Sequence, residues 1–126
     1  MSQLTWIYHQ STGAMFLGDV LKGYGYAGAG KTLAAGRNNP AMEGVVSKGP
    51  IPRGRWKITG LRLKHPALGP YVILLEPVGH NALGRSLFRI HGDNAAGDAS
   101  HGCIILFRNL REQIWKSGVR DLVVVA

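Results

Sequence analysis

A chain of 126 residues, 45% of them hydrophobic and 17% charged, fills one hydrophobic core and not two, so residues 1–126 read as a single domain. Fifteen Lys and Arg against seven Asp and Glu leave a net charge of +8 and favour an anionic partner; the basic residues are scattered from Lys22 to Arg120 without interleaved aromatics, so nucleic acid is not the expected one. No apolar run reaches the roughly 18 residues that cross a bilayer, and one cysteine excludes an internal disulfide.

The N-terminal Met1 to Gln10 lacks a basic region followed by an apolar core and a cleavage site, so no general secretion signal is expected. Short apolar runs rich in Val, Ile and aromatics follow, and these suit strands: Leu4 to Tyr8, Ala14 to Leu17, Trp56 to Leu63, Tyr71 to Leu75, Leu87 to Ile90, Cys103 to Leu106 and Leu122 to Ala126. Between Gly13 and Gly60 glycine recurs too often for a long helix. One helix is expected near the C-terminus, with Asn109 as N-cap, Glu112 completing a capping box, Leu110 and Ile114 on one face, and Gly118 closing it. The expected fold is mainly β, mostly antiparallel, with that one short α-helix.

Gly25 to Thr32 satisfies the phosphate-loop pattern G-x-x-x-x-G-K-T. That loop works only where Lys-Thr opens a helix facing the phosphates, and here Gly36 to Pro40 would end any helix within about one turn. No nucleotide cofactor is therefore expected.

The chemistry concentrates in Phe88 to Leu106. A strand delivers His91, a polar loop follows, and a second strand opens at Cys103. A thiol of ordinary acidity is mostly protonated at neutral pH, and a neighbouring imidazole can take its proton and hold the thiolate as an ion pair. Backbone N–H groups at Gly102 and Cys103 are candidate donors for an oxyanion, and Ser100 and His101 are candidates for orienting the site. A cysteine before Ile104 and Ile105 is ordinarily a buried hydrophobe. Ser100-His101-Gly102 argues the other way, because a purely structural strand gains nothing from three poor strand formers at its start.

His91-Gly92 followed by Ser100-His101-Gly102-Cys103-Ile104 resembles the active-site signature of the L,D-transpeptidase (YkuD-like) family, and Gly49-Pro50-Ile51-Pro52-Arg53-Gly54-Arg55-Trp56 resembles the family's proline-glycine stretch leading into a strand. With Arg37-Asn38-Asn39-Pro40, these segments are most similar to the small branch delivered as antibacterial effectors by type VI secretion. The resemblance implies a β-sandwich-like catalytic fold and a thiol attack on the bond between the third residue of a peptidoglycan stem and the D-alanine in position four. Water or an amine then resolves the acyl-enzyme.

Carried over residue by residue, Cys103 is the nucleophile, His91 the general base, and Ser100, His101 and Gly102 shape the site. Gly92, Asp93, Arg89 and Tyr26 are expected to contact substrate. Many members have Arg two places after the cysteine, where this chain has Ile105; Arg89 or Arg108 would have to replace it. The implied partners are peptide stems, a periplasmic immunity protein and type VI secretion components, with action in a target cell's periplasm and no membrane insertion.

His91, Asp93, Asp98, His101 and Cys103 are all metal-ligand types, but none shows a metal-binding spacing, and a metal there would occupy the thiolate; no metal is expected. His9, His65 and His80 read as satisfied or surface histidines. Trp6, Trp56, Trp115, Tyr8 and Phe16 read as core, and Tyr24 with Tyr26 as a groove wall. The rival to an enzyme is a noncatalytic cell-wall binding module with the same fold.

Overall fold

The computed structural model describes residues 4–126, so Met1 to Gln3 of the N-terminal segment lie outside it. Its strands are β1 (Trp6–His9), β2 (Ala14–Leu17), β3 (Val20–Tyr24), β4 (Tyr26–Ala27), β5 (Gly54–His65), β6 (Gly69–Val78), β7 (Arg89–His91), β8 (Ile104–Ile105) and β9 (Asp121–Val125), with one helix, α1 (Arg108–Lys116). Among the described residues the chain is mainly β with a single α-helix near its C-terminus, as the apolar runs predict.

All nine strands form one sheet in the order β3-β2-β1-β9-β5-β6-β7-β8-β4. Pairings are antiparallel except β1 with β9 and β7 with β8. The two edge strands, β3 and β4, are separated in sequence by Gly25 alone. Laid flat, nine strands at about 4.8 Å spacing would hold these edges roughly 38 Å apart, whereas Tyr24 to Tyr26 spans at most about 7 Å. The sheet therefore curls over until its edges meet, which encloses the core and gives the sandwich-like shape. Gly25 is the seam. A Cβ there would lie 1.8 Å from the Ile105 carbonyl oxygen, and its N–H donates to Gly13 O at 2.8 Å.

Trp6, Tyr8, Met15, Trp56, Ile73, Ile90, Ile104 and Ile114 fill the interior. Trp115 is partly buried and packs against this core, with Arg120 3.8 Å above its ring, whereas Phe16 is half-buried outside it and packs on His9, contrary to expectation. Strands β3 and β4 escaped the sequence reading because β3 is almost wholly exposed and β4 is two residues long.

The helix departs from its expected cap. It starts two residues earlier, after Phe107, with no side-chain cap, and Glu112 pairs with Arg108 and Lys116 instead of reaching back. A cation one turn away on either side outcompetes a single backbone N–H for that carboxylate. Leu110 and Ile114 do face the core, and Gly118, at φ 74, bonds Trp115 O and ends the helix. His65 Nδ1 accepts from Ala67 and Leu68 N–H at the β5–β6 turn, and His80 lies 2.9 Å from Arg55 O, so both are satisfied structurally.

Candidate active site

Cys103 stands just before β8, half-buried, while Ile104 is sealed in the core and Ile105 is buried beneath a surface cavity. The turn that carries it is organised by Ser100, which is 1% exposed. Its Oγ accepts from Gly28 N–H (2.9 Å) and Gly102 N–H (3.0 Å) and donates to Cys103 O (2.7 Å). Ile51 N–H donates to Gly102 O at 2.9 Å. The proline-glycine stretch and the Ser-His-Gly-Cys stretch, some fifty residues apart, are thus hydrogen-bonded to each other.

The sulfur faces Leu87 O at 3.6 Å and borders a cavity of about 260 Å³ lined by Val46, Ser47, Arg85, Leu87 and His101 among others. It is not sealed among aliphatic side chains. The backbone N–H groups of Arg89 and of Cys103 itself point toward it. One oxyanion expectation changes here: Gly102 N–H is already engaged by Ser100 Oγ, leaving the Cys103 amide as the donor at this turn.

His91 closes β7 and is 3% exposed. Because β7 and β8 run parallel with His91 opposite Ile105, Cys103 lies two residues before that partner, roughly 8 Å from His91 Cα to Cα from strand spacings. Nδ1 of His91 lies 2.9 Å from Gly92 O. A carbonyl can only accept, so Nδ1 carries the proton and Nε2 keeps a lone pair for a proton acceptor's work.

Electrostatics favour a neutral pair over the ion pair the sequence suggests. Burial pushes the Cys103 thiol up, only partly offset by Arg89 and Arg85, and burial pulls the His91 imidazole down, with Arg111 and Arg89 acting in the same direction. Both shifts oppose thiolate-imidazolium in the resting protein.

The other expected residues divide between different surfaces. Gly92, Asp93 and Tyr26 line a larger cavity of about 510 Å³ with Tyr24, Ile105, Phe107, Arg108 and Arg111, which Cys103 does not border. Tyr26 hydroxyl donates to Asp93 Oδ1 at 2.6 Å and accepts from Ala99 N–H at 3.0 Å, and its pKa is pushed up to about 12, first by burial and then by Asp93. Arg37 stacks 3.6 Å over the Tyr26 ring and donates to Gly97 O, so Tyr26 and Arg37 together pin the 92–103 loop. Arg89 donates to Leu87 O, and its Nε is buried without a partner. Arg108 pairs with Glu112 and lies over Tyr71.

Two arginines escaped the sequence reading. Arg85, 9% exposed, donates to four carbonyls around the Cys103 turn, and Arg111, 4% exposed, donates to Tyr71, Leu106 and Pro70 carbonyls beside Gly92. A buried structural arginine leaves no trace in composition. Among the described residues no three His, Cys, Asp or Glu side chains gather as a metal cluster, and no helix opens at Lys31-Thr32.

No family model matches the chain, and no curated protein does. Among solved structures it is similar to an L,D-transpeptidase from Mycobacterium smegmatis, with a TM-score of 0.47 and 15% identity over 98% of this chain and 58% of that one. The chain spans little more than half of that protein's length.

Proposed function

We propose that this protein is a peptidoglycan-modifying cysteine enzyme, an L,D-carboxypeptidase or L,D-transpeptidase acting on tetrapeptide stems. One observation carries it: a half-buried cysteine opens onto a cavity, about 8 Å Cα to Cα from a buried histidine whose Nδ1 is fixed by its neighbour's carbonyl. The sequence signature around both residues supplies the substrate class.

Cys103 sulfur adds to the carbonyl carbon of the stem's third residue as His91 Nε2 takes the thiol proton. The Cys103 N–H meets the oxyanion. Collapse breaks the C–N bond, His91 returns the proton to the D-alanine amine, and a thioester remains. Water releases a tripeptide, or another amine forms a new amide, and each regenerates the thiol. Ser100 holds the turn, and His101, exposed at the cavity mouth, is placed to touch the stem.

The test is mass spectrometry of tetrapeptide stems incubated with the reduced protein. Loss of D-alanine, or its exchange for a labelled D-amino acid, is expected and disappears in Cys103→Ala. Unchanged stems would instead leave a cell-wall binding module. The resemblance to type VI effectors adds a finer reading: delivery into a rival's periplasm, with a cognate immunity protein in the producer. Toxicity on export to the periplasm, absent on cytoplasmic expression, is the expected result; equal toxicity in both compartments would overturn it.

A further inference from the structure

Arg85 is buried, yet pairs with no carboxylate within 4.0 Å among the described residues. Nη1 donates to Glu43 O (2.5 Å) and Pro50 O (3.0 Å), and Nη2 to Gly49 O (3.0 Å) and His101 O (3.2 Å). One face of the guanidinium lies 5.0 Å from the Phe88 ring. Gly102 makes room for it: at φ 136, a Cβ there would sit 2.5 Å from Nη2.

Burying a cation is costly, and carbonyl dipoles recover only part of that cost, with the Glu43 carboxylate assisting from beyond ion-pair distance. A neutral amide could bridge some of these carbonyls without that cost. The charge itself therefore calls for a use, and the group sharing its cavity is Cys103.

We propose that Arg85 is a positioning residue for the nucleophile: its fork locks the 43–50 segment onto the 101–103 turn, and its charge stabilises the thiolate when Cys103 ionises. This rests on Cys103 being the nucleophile, but the thiol can be interrogated without any substrate. The charged and titratable groups around the sulfur are Arg85 from the 82–88 segment, Arg89 and His91 from β7, and His101 on its own turn. Burial raises the Cys103 pKa while Arg89 and Arg85 lower it, and the Cys103 charge in turn raises the pKa of Arg85 against its burial.

The full chain has one cysteine, so its alkylation by iodoacetamide between about pH 6 and pH 10 reports this thiol alone. In Arg85→Gln the midpoint should rise by about one unit, with alkylation below it about tenfold slower. Arg85→Lys, keeping the charge, should restore most of that shift, yet its kcat on tetrapeptide stems should fall about tenfold with KM little changed, because the fork is lost. A folded Arg85→Gln with the wild-type alkylation profile overturns the proposal. So does Arg85→Lys with native melting temperature and native kcat, and so does failure of both variants to fold, since a purely structural clamp would then suffice. Stems left untouched by the wild type, alongside the expected alkylation shift, would sink the enzymatic reading and leave the effect of Arg85 on the sulfur standing.

Discussion

The β7–β8 pair carries the same device at both ends, a buried arginine that donates only to carbonyls and fits against a glycine. At the far end Arg111 meets Gly92, where a Cβ would lie 2.9 Å from Nη1; at the near end Arg85 meets Gly102. The partners differ. Arg111 grips Pro70 and Tyr71 of β6 and Leu106 just past β8, holding α1 to the sheet and securing Tyr71 at φ 56. Arg85 grips irregular backbone, Glu43, Gly49, Pro50 and His101, beside the sulfur. The larger cavity lies at the Arg111 end and the proposed nucleophile at the Arg85 end, so the proposal sets the chemistry among the irregular loops and not in the larger volume.

Activity separates the ends most sharply. Cys103→Ser and His91→Ala should each lower turnover of tetrapeptide stems by about a thousandfold or more, measured by product analysis. Cys103→Ser should leave the melting temperature nearly unchanged, whereas His91→Ala empties a buried site and should lower it by several degrees. Since burial lowers the imidazole pKa, His91 stays neutral until the pH drops below its ordinary 6.5, and the acid limb of kcat/KM should fall under that value. An acid limb above it would contradict the assignment.

Stability separates them next. Arg111→Met strips donors from three carbonyls and should cost about 2–4 kcal/mol in urea unfolding while leaving the Cys103 alkylation profile at wild type. An alkylation shift as large as that expected for Arg85→Gln would erase the distinction between the ends. Gly102→Ala should follow at about 2 kcal/mol, from a disfavoured φ and contact with Arg85; Gly92→Ala, with no positive φ, should cost about 1 kcal/mol.

These pairs also show what sequence can and cannot carry. Ala14 to Leu17 is an expected strand with unchanged bounds, because a short continuous apolar run between Thr12-Gly13 and Gly18 suits a buried strand. The Ser100 to Cys103 turn stood out because its residue types make poor strand. Closure of the sheet at Gly25 was illegible, since it depends on two edges meeting that no local window contains. Arg85 and Arg111 were counted in the net charge as though available to an anionic partner, yet both are spent on carbonyls inside the protein. Spacing cannot tell a buried cation from a solvated one; only the placement of its acceptors can.

The smallest expected contrast lies in two glutamates, one near each arginine. Burial alone would raise the Glu43 pKa, but hydrogen bonds from Arg53 and Gln10 bring it down from 4.5 to about 2. A carboxylate with a depressed folded pKa contributes stability above its unfolded value that is lost as pH falls toward the folded one, here between about 4.5 and about 2. Glu112 is lowered in the same direction by Arg108 and Lys116, but lies in solvent, where such pairs contribute little. Glu43 also lends its carbonyl to Arg85, so its carboxylate anchors the clamped segment from outside. Melting temperature should therefore fall less steeply over that range in Glu43→Gln than in wild type, with Glu112→Gln following the wild-type curve. Equal flattening in both variants would mean that the Arg85 end draws no particular support from its outer ion pair.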